Sequence, residues 1–203
     1  MLPTKKNKIL FFLPSFADGG AEESIISIAN RYKSKNENIT FIVGNDIGPN
    51  KFKIDKKINL INFKKSRLLK CLSPIIKILE KNNPDTIITT LTHSNLFFCF
   101  IKFFYNHKFK LIIRETNITS SINLGLKQSI KFKILNIFKK FLYNYADYII
   151  AINSQSKKEL LNLGIQKHKI RIFNNPSIKK NFFKKAQEKI SNKNIIKNKY
   201  LLY

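Results

Sequence analysis

Seven short apolar runs, at residues 8–13, 38–43, 57–63, 86–91, 109–115, 147–152 and 169–174, recur along the chain, and helical patterns fill most of the intervals. That alternation constrains the fold more than any other feature. "TIITTL" (86–91) and "FKLIIRE" (109–115) are rich in β-branched residues and apolar on both faces, as central parallel strands covered by helices on each side must be. The reading is α/β: a doubly wound, mostly parallel, Rossmann-like sheet with right-handed crossovers. Helices are expected at 66–82, with a kink or late start at Pro74, from 92 through 105, at 125–145, and from a Ser154 cap to Gly164.

The opening "KILFFLPSFADGGAEESIISIANRY" runs from a strand through two glycines into a helix that groups Ala21, Ile25, Ile28, Ala29 and Tyr32 on one side. Glycines permit a sharp turn and close approach of a ligand, and the free N–H groups of a helix N-terminus favour a diphosphate. Glu22 and Glu23 stabilise a first helical turn without any ligand, so a well-capped helix is the competing reading. Sheets of this class bind ligands beyond the carboxyl ends of their strands. The candidate site residues follow: Gly19, Gly20 and Glu22 after the first strand, His93 and Asn95 after the fourth, Glu115, Thr116 and Asn117 after the fifth, and Asn153 and Ser154 after the sixth. Two alternatives stay open beside substrate contact: an internal ion pair between Arg114 and Glu115, and His93 as a turn residue.

Lys and Arg number 38 against 12 Asp and Glu, a net charge of +26, which suits phosphates, nucleic acid or an anionic membrane, or else a solvated basic surface. The excess is mostly Lys, spread along the chain, and the Phe residues fall on apolar stripes, so no nucleic-acid partner is expected. Cys71 and Cys99 lack CxxC spacing and suit buried thiols in a reducing cytosol. His93, His107 and His168 are too scattered for a metal site, and no metal is expected. Lys5, Lys6 and Lys8 before "ILFFLPSF" imitate a signal peptide, but Pro14 interrupts the run and it reads as a strand. No segment reads as transmembrane.

Four segments in order, "LPSFADGGAEESIISIAN", "IITTLTHSN", "LIIRETNITSS" and "ADYIIAINSQSKKELLNLGIQKHKIRIFNNP", resemble the N-terminal, acceptor-side domain of family 4 glycosyltransferases, which have the GT-B fold, and the terminal "KNKYLLY" resembles the beginning of their C-terminal domain's first strand. The resemblance implies a retaining, metal-independent, hexosyltransferase-like enzyme. It implies a UDP- or GDP-sugar donor as substrate, no permanently bound cofactor, and a glycan or lipid-linked acceptor in bacterial surface polysaccharide or glycoconjugate synthesis. Glu23 stands where members often carry a basic residue, and Thr116 where many carry a histidine. Residues 1–178 are expected to form that domain, and 179–203 a basic linker leading to the first strand of a donor-binding domain. The further expectations are a truncated chain that is inactive by itself, a separate C-terminal donor-binding chain, or a non-catalytic acceptor- or membrane-binding subunit.

The helix at 125–145 carries an apolar stripe of Ile130, Ile134, Ile137, Phe138, Phe141, Leu142 and Tyr145, expected to pack on the sheet. Lys127, Lys131, Lys133, Lys139 and Lys140 lie at other positions and are expected to face an anionic membrane. The location implied is cytoplasmic, peripheral on the inner face of the plasma membrane.

Overall fold

The structure, a computed structural model, describes residues 7–35, 37–105, 108–116 and 130–174, with Lys131 described by its backbone. In chain order the regular elements are β1 (Lys8–Ser15), α1 (Gly20–Ser34), β2 (Asn38–Asn45), β3 (Asn59–Asn62), α2 (Leu72–Asn82), β4 (Thr86–Thr90), α3 (Thr92–Phe104), β5 (Lys110–Glu115), α4 (Ile130–Leu142), β6 (Tyr148–Ala151), α5 (Ser154–Asn162) and β7 (Ile170–Ile172), with short 3₁₀ turns between some of them. The strands form one sheet ordered β3-β2-β1-β4-β5-β6-β7, and every adjacent pair is parallel. All seven expected strands are present, in a sheet that is parallel throughout.

The core follows from the pleat, which sends successive side chains to opposite faces. On β1, Ile9, Phe11 and Leu13 join Ile25, Ile26 and Ala29 of α1 on one face. Leu10 and Phe12 join Ile75 and Leu79 of α2, Phe98 of α3, Leu142 of α4 and Leu160 of α5 on the other. Each large apolar side chain so enclosed contributes roughly 1.5–3 kcal/mol relative to exposure. A continuous apolar run is therefore what the central strand requires.

Three local expectations change. Of the two expectations at Pro74 the late start holds and the kink does not, because the helix expected from 66 begins only at Leu72, after a 3₁₀ turn over Leu68–Cys71, and places Pro74 in its first turn, where its missing N–H costs no helical bond. Asn153, not Ser154, caps α5, its Oδ1 accepting from the Ser156 N–H at 2.8 Å, while Ser154 is an exposed first helical residue. Gly164 does end that segment, at φ +83°.

The third change is on α4. Ile130, Ile134, Ile137, Phe138 and Phe141 of the expected core stripe are exposed, and Leu142 is buried. The inward side instead holds Leu142 and Lys139, and the 3₁₀ turn that follows buries Tyr143. The expected helical residues 125–129 and the linker 179–203 lie outside the described residues, as do Asn117 and Lys127.

Candidate functional site: the switch-point crevice between β1 and β4

Strand order reverses at β1 and β4, since β1 is followed in space by β2 on one side and β4 on the other. The connections after these strands leave on opposite faces, which opens a crevice at their carboxyl ends. α1 starts at Gly20 on one side of it, and α3 at Thr92 on the other.

The glycine turn has an unexpected division of labour. Gly19 caps α1 with an extended backbone (φ −130°, ψ 144°) and no side-chain cap. The Glu22 carboxylate folds back over Gly19, so a Cβ there would press on that carboxylate, the far end of a side chain able to move. A Cβ on Gly20 meets nothing within 4 Å, so the space in front of it is open.

A second loop, which sequence reasoning missed, braces this turn. The Asn50 side-chain amide donates to the Ala17 carbonyl, its backbone N–H donates to the Phe16 carbonyl at 3.2 Å, and the Phe16 N–H donates to the Ile47 carbonyl at 3.0 Å. Asn50 is fully buried. Gly48 has φ +126°, and any Cβ there would collide with the Phe16 carbonyl. The signal that marks this loop in the sequence is Gly48-Pro49 shortly after a predicted strand.

Across the crevice, Leu91 turns β4 into α3 with φ +72°, an uncommon conformation for a branched side chain and a mark of strain held by its surroundings. His93 lies exposed in the first turn of α3. Crowding by the protein holds its imidazole below the ordinary range, with the Glu22 carboxylate opposing that shift. Glu22 therefore lies near enough to His93 to act on it electrostatically.

Asn95 and Glu115 are internal instead. Asn95 is fully buried, donates to the Arg114 carbonyl at 2.9 Å and accepts from the Thr89 hydroxyl at 2.7 Å. Glu115 accepts from the Tyr143 hydroxyl at 2.5 Å and the Thr92 hydroxyl at 3.1 Å, and pairs with Lys139 at 3.4 Å. Lys139 is 4% exposed, so this lysine does not face a membrane surface as expected. Burial and the Glu115 charge push the Tyr143 phenol well above its ordinary range, keeping it a proton donor. Burial likewise lowers the Arg114 guanidinium and raises the Cys99 thiol. These groups form a polar pillar that ties α3, β5 and α4 together beneath the crevice.

Thr116 is half-buried at the end of β5, and Asn153 half-buried at the cap of α5. The residues brought to the crevice are thus Gly19, Gly20, Glu22 and His93. Among the described residues, no group of three or more His, Cys, Asp or Glu is placed to hold a metal ion.

The glycosyltransferase family 4 profile matches residues 18–176. Sequence comparison with curated proteins finds no match. Among solved structures, Anabaena Alr3699/HepE in complex with UDP superposes with a TM-score of 0.60 at 20% identity, covering 83% of this chain and 44% of that one. The lipopolysaccharide outer core galactosyltransferase WaaB gives 0.54 at 22% identity, over 85% of this chain and 47% of that one. The UDP-GlcNAc 2-epimerase of Methanocaldococcus jannaschii gives 0.58 at 17%, over 84% and 46%. The chain spans less than half the length of each, and at these identities the likeness is one of fold. The doubly wound parallel sheet is the Rossmann-like half of a GT-B fold, and with the profile match across most of its length the chain belongs to glycosyltransferase family 4.

Proposed function

We propose that this chain is the acceptor-side domain of a retaining glycosyltransferase that moves a sugar from a UDP- or GDP-sugar to a glycan or lipid-linked acceptor in bacterial surface polysaccharide or glycoconjugate synthesis. The observation that carries the reading is the switch-point crevice, with open space before Gly20, in a chain matched by family 4 over residues 18–176. The first-turn backbone N–H groups of α1 and α3 lie beside it, and groups of that kind suit hydroxyl or phosphate oxygens. His93, held below its ordinary range, is neutral at neutral pH and so both donates and accepts hydrogen bonds, as a sugar hydroxyl requires. HepE is described with UDP, with UDP and glucose, and with UDP-glucose, which supports a sugar nucleotide as donor here. The donor is held across the crevice by a second domain, on this chain's continuation or on a separate chain.

The test is transfer from UDP- and GDP-sugars to lipid-linked and free glycan acceptors, by the 203-residue chain alone and paired with a family 4 donor-binding domain. We expect no turnover alone and transfer in the pair. Gly20→Val, whose new side chain enters open space, is expected to abolish transfer while leaving the unfolding midpoint in place. Robust turnover by the chain alone, or full transfer by Gly20→Val, would sink the reading.

A further inference from the structure

α4 is apolar on its solvent side as well as inward, where Phe132 and Leu135 are half-buried. At 3.6 residues per turn, Ile130, Ile134, Ile137, Phe138 and Phe141 fall within about 100° of one another. All five are exposed, Ile130 at 75% and Ile137 at 67%. The opposite side of the helix buries Lys139 and Leu142. A helix on a globular surface normally turns charged and polar residues to solvent. The end of α3 extends the apolar face, with Phe103 edge-on to Phe141 at 5.7 Å between centroids and Phe104 62% exposed. A contiguous apolar surface of this kind marks a site of interaction.

Charge selects the partner. Lys133 and Lys140 are exposed and border one side of the stripe, and neither α3 nor α4 contains an acidic residue. The carboxylates of the adjoining elements, Glu115 and Asp147, are paired with Lys139 and Lys102. A second copy would set one lysine rim against another on chains of +26 each. A partner with an apolar interior and an anionic surface suits both halves of the face. A lipid leaflet has that structure, with acyl chains for Ile and Phe and headgroup phosphates for Lys.

We propose that the α3–α4 face docks the protein on an anionic lipid surface, α4 lying in the plane of the interface with Ile137, Phe138 and Phe141 inserted and Lys133 and Lys140 at headgroup level. No helix of the described residues is long and apolar enough to cross a membrane, so the contact is peripheral. Lys139 takes no part, being committed to Glu115. The proposal rests on α4 and not on sugar transfer, although docking would bring the crevice to the surface that carries lipid-linked acceptors.

The experiment is co-sedimentation of the full chain with vesicles of phosphatidylcholine and of phosphatidylcholine with equimolar phosphatidylglycerol, in low and high salt. Binding is expected to the anionic vesicles and to weaken with salt, Lys133→Gln and Lys140→Gln each costing about fivefold. Ile137→Ser with Phe141→Ser is expected to lower binding by about tenfold or more, with circular dichroism and the unfolding midpoint unchanged. The chain has no Trp, so Phe138→Trp reports directly, its emission shifting to the blue on anionic vesicles. Equal binding to neutral vesicles overturns the proposal, as does an unshifted Phe138→Trp spectrum. Unfolding of the double serine variant makes the stripe core and also overturns it. So does a concentration-dependent dimer that the serine variant dissociates without any vesicle binding, or vesicle binding that appears only after residues 179–203 are removed. None of these readouts depends on transfer, so docking and the proposed activity fail separately.

Discussion

Lys139 and Glu115 are distant in the sequence, yet each is enclosed and finds its counter-charge in the other, with side chains 5% and 4% exposed. A buried ion pair adds little net stability, because desolvation cancels most of the attraction, but removing one partner strands a charge in the interior. Lys139→Met is therefore expected to cost about 3 kcal/mol or more in urea unfolding. Glu115→Gln with Lys139→Met is expected to recover part of that loss, since the stranded charge is gone. An unchanged midpoint for Lys139→Met would show that the pair is solvated. The sequence reading turned Lys139 outward to an anionic membrane, since charged residues are rarely buried unpaired, and nothing local to the helix names Glu115 as its partner.

At the scale of elements, α5 separates two adjacent candidates for one role. Asn153 has an extended backbone and its side chain accepts from the Ser156 N–H, whereas Ser154 already lies in the helix. Asn153→Ala is expected to destabilise the protein by about 1 kcal/mol, and Ser154→Ala by much less. Thermal unfolding of the two variants checks this, and equal losses would return the cap to Ser154. Both residue types are good caps, and the choice between them depends on where β6 releases the chain. α4 teaches the same lesson at larger size. Its sequence has apolar residues around most of its circumference, so periodicity alone names a stripe without naming the inward one.

The whole molecule carries +26 on 203 residues, and such a charge repels itself in the compact state more than in the expanded one. Salt shortens the reach of that repulsion from about 30 Å at 0.01 M to about 8 Å at 0.15 M. The unfolding midpoint is therefore expected to rise by a few degrees over that range of sodium chloride, measured without lipid. A flat or falling midpoint would mean that paired charges such as Lys102 and Asp147 outweigh the net excess.

The apolar runs by themselves determined the seven strands, a mostly parallel sheet and a ligand side at the strands' carboxyl ends, because a strand buried on both faces has to be apolar along its length, whereas the strand order that opens the crevice between β1 and β4 was decided by the tertiary structure. The glycine turn was legible for the same reason, being a local backbone requirement between a strand and a helix. The tertiary structure alone also decided which side chains face that crevice. Asn95 and Glu115 follow their strands as cleft residues do, yet turn inward because the Arg114 carbonyl, Tyr143 and Lys139 satisfy them there. Gly48 and Asn50 brace the glycine turn from a distant loop, and α4 rotates its lysine inward and its isoleucines outward to reach Glu115. Each of these outcomes depends on a polar partner brought close by folding, and the free energy of a buried polar group is set by that partner and not by its neighbours in sequence.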